Sequence, residues 1–227
     1  EQDYPQGFEQ MVLDTGADAL YVGRDFSYTD EPSFSAKLSS NAGPLEIDRL
    51  PSTGLLPVNK TLALQALLSA GLALNPDDSR TALESVRLTG RHQELSYKGI
   101  KIILDVAHNP AAAGALAQKL AVADGRTLAI ASVLKDKDWA GIVTAMGNVV
   151  DDWFIAQISD TPRASEGQTL LEVLYNEGRT GQLLESIGQA LDSALEQATA
   201  DDRIVVFGSF HTVAAVLNII LAEVSSE

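Results

Sequence analysis

The fold of this protein is decided by residues 102–110, which read Ile-Ile-Leu-Asp-Val-Ala-His-Asn-Pro. A short unbroken apolar run is typical of a strand that is buried on both faces of a sheet. Pro110 suits the first turn of a helix, because the N–H that it lacks would have no acceptor there. The stretch therefore predicts a strand that leads into a helix. It places Asp105 and His108 at the carboxyl end of that strand, where open parallel sheets bind ligands.

The rest of the second half repeats this alternation of strands and helices. Strands are predicted at Ile100–Val106, Thr127–Leu134, Trp153–Ile158 and Arg203–Gly208, and helices are predicted to begin near Pro110, Asp138, Glu166, Leu183 and Phe210. Such alternation implies right-handed crossovers and a mainly parallel sheet covered on both faces. Gln93–Tyr97 alternates with period two, so we expect it to form a hairpin with the Ile100 strand.

The first half has a different pattern. It predicts a short helix at Phe8–Leu13, a brief buried strand at Ala19–Gly23, a small antiparallel element from Phe34–Leu38 and Leu45–Leu50, and helices over Asn59–Leu72 and from Pro76 to near Leu88. With a boundary near Thr89-Gly90-Arg91, we interpret residues 1–88 as the tail of an α/β domain. Residues 89–227 are then a Rossmann-like α/β domain.

Composition excludes several classes of protein. The 227 residues carry 16 basic and 31 acidic side chains, and a net charge of -15 repels nucleic acid. The absence of cysteine excludes disulfides and Cys-ligated metal sites. No apolar run reaches the roughly 18 residues of a membrane span. We expect a cytoplasmic protein with no membrane partner.

A second group of polar residues follows the last predicted strand. Gly208-Ser209-Phe210-His211-Thr212 again joins a strand to a helix. Ser209 can serve only as the helix N-cap, and His211 can be structural. Asp105 and Asn109 can likewise be simple caps. Two strand ends that each carry a His nevertheless favour a shared crevice.

Each of the other polar residues also allows a structural role in place of a binding role. Arg91 offers a guanidinium that fits phosphate oxygens, although a surface Arg is usually only solvated. Asn59 lies at a helix start, where capping is the default. Lys135-Asp136-Lys137-Asp138 is either a loop with a cap or one wall of the crevice, and Arg163 has the same status. The sequence contains no G-x-x-x-x-G-K-[ST] loop, so the chain alone cannot hold an ATP triphosphate in the usual way.

These stretches together resemble the carboxyl-terminal half of bifunctional dihydrofolate synthase/folylpolyglutamate synthases in the Mur ligase superfamily. The motifs are Leu56-Pro57-Val58-Asn59, Leu88-Thr89-Gly90-Arg91, residues 105–110, Asp136-Lys137-Asp138, Pro162-Arg163-Ala164 and residues 208–213. Thr89 stands where the family often has Pro, Val106 where many members have Gly, and Lys135 where a relative can have His. Residues 1–88 are then the end of a central ATP-binding domain.

The resemblance implies an ATP-dependent amide ligase. ATP would phosphorylate a carboxylate of dihydropteroate or of a folate glutamate, and L-glutamate would attack the acyl phosphate. Asn59 would contact adenine, Arg91 the phosphates and Asp105 the ribose side of ATP. His108, the catalytic candidate, and Ser209 would lie near glutamate.

The resemblance also sets limits on this chain. The phosphate loop, the Mg²⁺ ligands and the pteroate pocket belong to an amino-terminal region outside it, so we predict no metal ligand here and no turnover by the chain alone. We expect the full-length protein to be a monomer. Two alternatives stay open, a ligase for cell-wall precursors and a non-catalytic binding module.

Overall fold

The computed structural model describes residues 7–30, 33–52, 54–120, 125–159 and 161–224. The chain divides into two compact units, residues 1–86 and 87–227. This division lies a few residues before the predicted boundary at Thr89–Arg91. No helix in these described ranges is long and apolar enough to cross a membrane.

The first unit holds a small antiparallel sheet and three helices. Its elements are α1 (Phe8–Thr15), β1 (Ser27–Thr29), β2 (Ser35–Leu38), β3 (Leu45–Ile47), α2 (Pro57–Ser69) and α3 (Pro76–Ser85). The strands lie in the order β1-β2-β3 and pair antiparallel. The predicted antiparallel element is thus confirmed, with β1 as a third strand that the sequence pattern did not indicate. Its core packs Phe34, Leu38 and Ile47 against Leu64 of α2 and Leu83 of α3.

The strand predicted at Ala19–Gly23 is wrong. Val22 forms only an isolated bridge with Phe26, and the side chain of Leu20 is 43% exposed. A strand needs a neighbour for its backbone N–H and C=O groups. Apart from that bridge, no described strand pairs with this segment, so its apolar composition does not become a strand.

The second unit contains a six-stranded sheet. Its elements are β4 (Gln93–Tyr97), β5 (Ile100–Leu104), α4 (Pro110–Leu120), β6 (Thr127–Ala131), α5 (Trp139–Met146), β7 (Asp152–Ala156), α6 (Gly167–Asn176), β8 (Gly181–Leu184), α7 (Ile187–Gln197), β9 (Arg203–Phe207) and α8 (Phe210–Val224). The strand order is β4-β5-β9-β6-β7-β8. Every pair is parallel except β4 with β5, which confirms the predicted mainly parallel sheet.

The two ends of this sheet show what local pattern can and cannot predict. The hairpin of β4 and β5 is confirmed, and Lys98 and Gly99 connect its strands with positive φ angles of 50° and 79°, as a tight two-residue turn requires. The helix predicted to begin near Leu183 is wrong. Residues 181–184 form the edge strand β8, and α7 begins at Ile187 after Ser186 as N-cap. A short, largely exposed edge strand leaves little apolar pattern.

Side chains of the central strands alternate between two cores. Ile103, Val205 and Phe207 pack with α4, α5 and α6 on one face. Ile102, Ile204 and neighbouring side chains pack with α7 and α8 on the other face. The unit is therefore a three-layer α/β/α domain, and its strands are apolar on both faces as central parallel strands require.

The topology determines where a ligand can bind. β5 and β9 are adjacent and parallel, with Leu104 opposite Val206. The chain passes from β5 to α4 on one face and from β9 to α8 on the other. In open α/β sheets, the crevice outside two such strand ends is the usual binding site.

Candidate active site

Asp105 lies at the carboxyl end of β5, and backbone groups hold its carboxylate. Its Oδ2 accepts a hydrogen bond from His92 N at 2.8 Å, and its Oδ1 accepts one from Ala107 N at 2.9 Å. Its own N–H donates to Val206 O of β9 at 2.9 Å. Each carboxylate oxygen keeps a second lone pair for a ligand. The role of a plain helix cap belongs to Asn109, whose Oδ1 accepts from Ala112 N at 2.8 Å.

A tight turn carries Arg91 to the same edge. Gly90 and His92 flank it with positive φ angles of 69° and 45°. Gly90 O accepts a hydrogen bond from Val106 N at 2.8 Å. A Cβ on Gly90 would lie 3.0 Å from Cγ1 of Val106 and 3.1 Å from Cγ1 of Val213. Glycine is therefore required here both by the backbone conformation and by the close approach of β5 and α8.

The guanidinium of Arg91 lies over an aromatic ring at the start of α8. Its Cζ is 5.2 Å from the centroid of the Phe210 ring, within the range of cation–π contacts. Among the residues that the structure describes, no carboxylate forms an ion pair with Arg91. Within the described ranges, the guanidinium of Arg91 is therefore not paired with a carboxylate.

His92 itself was not a candidate in the sequence. Its Nδ1 is buried and has no hydrogen-bond partner among the described residues, and its Nε2 lies 3.5 Å from Glu94 Oε1. Burial, followed by the positive charge of Lys119, lowers the pKa of His92 below its ordinary value. No sequence signal indicates this residue, because its left-handed backbone is stabilised by the bond to Asp105, which is distant in sequence.

His108 follows β5 and is half-buried. Its Nδ1 lies 2.8 Å from Val106 O. A carbonyl oxygen only accepts, so Nδ1 carries the hydrogen. In the neutral ring Nε2 then presents a lone pair, which can accept a hydrogen bond or a proton.

Ser209 lies directly after β9, and its hydroxyl is engaged within the protein. Its Oγ accepts from Thr212 N at 3.0 Å and lies 2.7 Å from Thr212 Oγ1. Thr212 Oγ1 in turn donates to Ser132 O at 3.0 Å. Since that carbonyl only accepts, the Ser209 hydrogen is directed to Thr212. The N-cap alternative for Ser209 is thus what the structure contains, and one lone pair is left for a ligand.

Gly208 allows this connection between neighbouring strands. Its φ is 107°, and a Cβ there would lie 2.4 Å from Ser132 O. The ends of β6 and β9 therefore approach as closely as backbone atoms permit. Ser132 Oγ is buried nearby and, in the part of the chain that the structure describes, has no hydrogen-bond partner.

The loops after β6 and β7 are joined to each other. Arg163 Nη2 pairs with Asp136 Oδ1 at 2.7 Å, and Lys137 Nζ pairs with Asp136 Oδ2 at 2.7 Å. These two cations, Lys137 first, lower the pKa of Asp136 to about 2. Asp138 caps α5 by accepting from Gly141 N at 2.9 Å. The loop-with-cap interpretation of residues 135–138 is thereby confirmed.

Asn59 belongs to the other compact unit, where it lies in the first turn of α2. The N-cap of α2 is Leu56, without a side-chain cap bond, so the expectation that Asn59 caps this helix is wrong. The side chain is exposed. Its amide therefore stays available, whereas the neighbouring Lys60 is buried against Pro51 O.

Four predicted site residues thus share one edge of the second unit, namely Arg91, Asp105, His108 and Ser209. Phe210 and Thr212 join them and were not singled out by the sequence analysis. The S-x-x-T spacing after β9 could have indicated Thr212 as a partner of the cap. In the described ranges, no group of three or more His, Cys, Asp or Glu side chains could hold a metal ion. Within these ranges, the site residues therefore do not form a metal site built from protein side chains alone.

The sheet topology defines a doubly wound α/β domain with a switch point between β5 and β9. The glutamate ligase domain of the Mur ligases matches residues 90–210, more than half of the chain. The chain belongs to the Mur ligase family.

Similarity is high to dihydrofolate synthase/folylpolyglutamate synthases. The Escherichia coli enzyme is 39% identical over 223 residues, which are 97% of this chain and 50% of that protein. The chain is homologous to its carboxyl-terminal part and spans about half the length of such relatives.

Solved structures agree with this relationship. The Escherichia coli enzyme in complex with DHPP and ADP superposes with a TM-score of 0.81 and 34% identity, over 96% of this chain and 51% of that chain. A bifunctional folylpolyglutamate synthase/dihydrofolate synthase with Mn, AMPPNP and L-glutamate bound gives a TM-score of 0.82 and 29% identity, over 96% of this chain and 52% of that chain.

Proposed function

We propose that this chain is the carboxyl-terminal part of an ATP-dependent ligase that joins L-glutamate to dihydropteroate, to folate polyglutamate, or to both. The observation that carries the proposal is the convergence of Arg91, Asp105, His108 and the start of α8 at one switch point. The reaction forms an acyl phosphate from ATP and a carboxylate. The glutamate amine then attacks the acyl carbon and displaces phosphate.

Arg91 and Asp105 serve the nucleotide in this proposal. The guanidinium of Arg91 presents N–H groups in a planar fork that matches two phosphate oxygens. Asp105, oriented by His92 N and Ala107 N, accepts hydrogen bonds from the ribose hydroxyls. Asn59 uses its exposed amide, which can both donate and accept, to bind adenine.

His108 serves the incoming amine. Its Nδ1–H is directed to Val106 O, so Nε2 accepts the proton that the glutamate amine loses on forming the amide. Ser209 is assigned to the glutamate side as well. Its contribution is restricted to the one lone pair that the cap leaves.

Metal chemistry is assigned to the rest of the protein. We propose that the Mg²⁺ ligands and the phosphate loop lie in an amino-terminal part of the ligase. The first unit is, in this proposal, the end of the central domain. Its α1 buries no residue, and Leu62 and Leu67 of α2 are exposed. Because this proposal places the phosphate loop and the Mg²⁺ ligands outside it, the 227-residue chain is expected to be inactive alone.

The test is ATP hydrolysis by the full-length gene product. We expect ADP release that requires both L-glutamate and dihydropteroate or a folate, and no release by the 227-residue chain. ADP release that requires a cell-wall precursor instead would move the protein to another Mur ligase. No amino acid-dependent ADP release with either acceptor would favour a binding module.

A further inference from the structure

Phe210 is an exposed aromatic residue at the first position of α8. Its side chain is 60% exposed, more than the exposed Tyr175 at 51%. A ring in this position contributes little to the core, since the residues that α8 contributes to the core on its face of the sheet are others, Val213 and Val216 among them. Its place at the carboxyl edge of the sheet calls for another explanation.

The Phe210 ring lies against the guanidinium of Arg91. The turn before the guanidinium is fixed, because Val106 N donates to Gly90 O at 2.8 Å and His92 N donates to Asp105 at 2.8 Å. The side chain of Arg91 extends from this turn, and its Cζ lies 5.2 Å from the centroid of the Phe210 ring. The ring thus lies where it can set the direction of a long and flexible side chain.

An aromatic partner, unlike a carboxylate, leaves the hydrogen-bond donors of Arg91 unoccupied. A carboxylate would neutralise Arg91 and occupy its N–H groups. A ring attracts the cation through its face and uses none of the donors. With no acceptor for it among the described residues, the guanidinium keeps its five N–H groups available to an anion.

We propose that Phe210 is a positioning residue that holds Arg91 in the orientation needed to bind an anionic ligand. The chemistry of that ligand is a phosphate oxygen pair, and under the proposed function, on which this step rests, it is the polyphosphate of ATP. Phe210 acts through Arg91 and does not itself bind the nucleotide.

The kinetic test uses the full-length gene product with Phe210→Leu and Phe210→Tyr. Loss of an exposed cation–π contact is expected to raise KM for ATP about two- to fivefold in Phe210→Leu. Phe210→Tyr keeps the ring and should stay within about twofold of wild type. Tyr175→Leu, which removes an exposed ring from α6, is the matched control and should leave KM unchanged.

A double-mutant cycle with Arg91→Ala decides whether the ring acts through the guanidinium. In the Arg91→Ala background, Phe210→Leu is expected to have no further effect on KM for ATP. A full additional effect in that background would mean that Phe210 contacts the ligand directly, and it would overturn the proposal. So would a Phe210→Leu enzyme that behaves like Tyr175→Leu.

A measurement independent of activity uses the 227-residue chain. The Nε–H resonance of Arg91, assigned through its loss in Arg91→Lys, should move in Phe210→Leu, because that variant removes the ring current of a ring close to the guanidinium. It should stay close to its wild-type position in Phe210→Tyr, which keeps the ring. An unmoved resonance in Phe210→Leu would overturn the proposal even for an active ligase. If the full-length protein has no glutamate-dependent ATPase activity, the proposed function fails, whereas this spectrum still decides the contact.

Discussion

Gly90→Ala is expected to destabilise the second unit more than Gly99→Ala does. Both glycines have a positive φ, 69° at Gly90 and 79° at Gly99, so alanine meets the same backbone penalty at each. They differ in their surroundings. Nothing lies within 4 Å of a Cβ on Gly99, whereas a Cβ on Gly90 lies 3.0 and 3.1 Å from two valine methyl groups. The pair of variants therefore separates conformational strain from steric contact.

The magnitude follows from these two contributions. A left-handed alanine costs about 1–2 kcal/mol, and the lower entropy of the unfolded chain offsets about 0.4–1 kcal/mol of that cost. Gly99→Ala should thus lose about 1 kcal/mol. Gly90→Ala adds overpacking of about 1–3 kcal/mol, because Val106 and Val213 are only 2% and 3% exposed and have little room to move.

Urea denaturation of the 227-residue chain measures this difference. The two tryptophans, Trp139 and Trp153, are both buried in the second unit and report its unfolding by fluorescence. With a slope of about 1–3 kcal/mol per molar urea, the midpoint of Gly90→Ala should lie about 1 M below that of Gly99→Ala. Equal midpoints would refute the argument that the turn packs tightly against β5 and α8.

Four further changes test the site. Arg91→Ala should lower turnover of the full-length enzyme about 10- to 100-fold, because it removes a hydrogen bond to a charged group. Its thermal midpoint should be unchanged. Wild-type turnover in this variant would show that Arg91 does not bind the phosphates. His108→Ala should raise KM for glutamate about tenfold through the same kind of loss and should also lower turnover, because the ring no longer accepts the amine proton. An unaltered KM would exclude His108 from the glutamate pocket. Thr212→Val should lower the free energy of unfolding by about 1–3 kcal/mol, because Ser209 Oγ and Ser132 O each lose a hydrogen bond to the Thr212 hydroxyl. Thr212→Ser keeps the hydroxyl and should recover most of that free energy. Equal stability of wild type and both variants in urea would contradict the hydroxyl network. Lys137 and Arg163 lower the pKa of Asp136 from 3.8 to about 2. The stability that these two ion pairs contribute is therefore present above about pH 4 and is lost as pH falls through 2. An NMR titration of the Asp136 carboxyl with a midpoint near 3.8 would show that the two ion pairs do not form.

Local pattern predicted most of the second unit. The apolar runs at β5, β6, β7 and β9 and the Pro110 helix start are where the sequence places them, since buried strands and helix starts carry strong short-range signals. The errors lie where the signal depends on a partner. Ala19–Gly23 has the composition of a strand but only a single bridge, and residues 181–184 pair with β7 at an exposed edge that leaves little pattern.

The sequence by itself determined that the second half is a doubly wound α/β domain and that Asp105, His108 and Ser209 follow strands. Only the tertiary structure decided that β9 inserts beside β5, because strand order depends on the packing of the whole sheet. It also decided that Ser209 gives its hydroxyl hydrogen to Thr212 and that Arg91 lies over Phe210. Competition among hydrogen-bond partners is settled by atoms brought together in folding, and no short stretch of sequence contains that information.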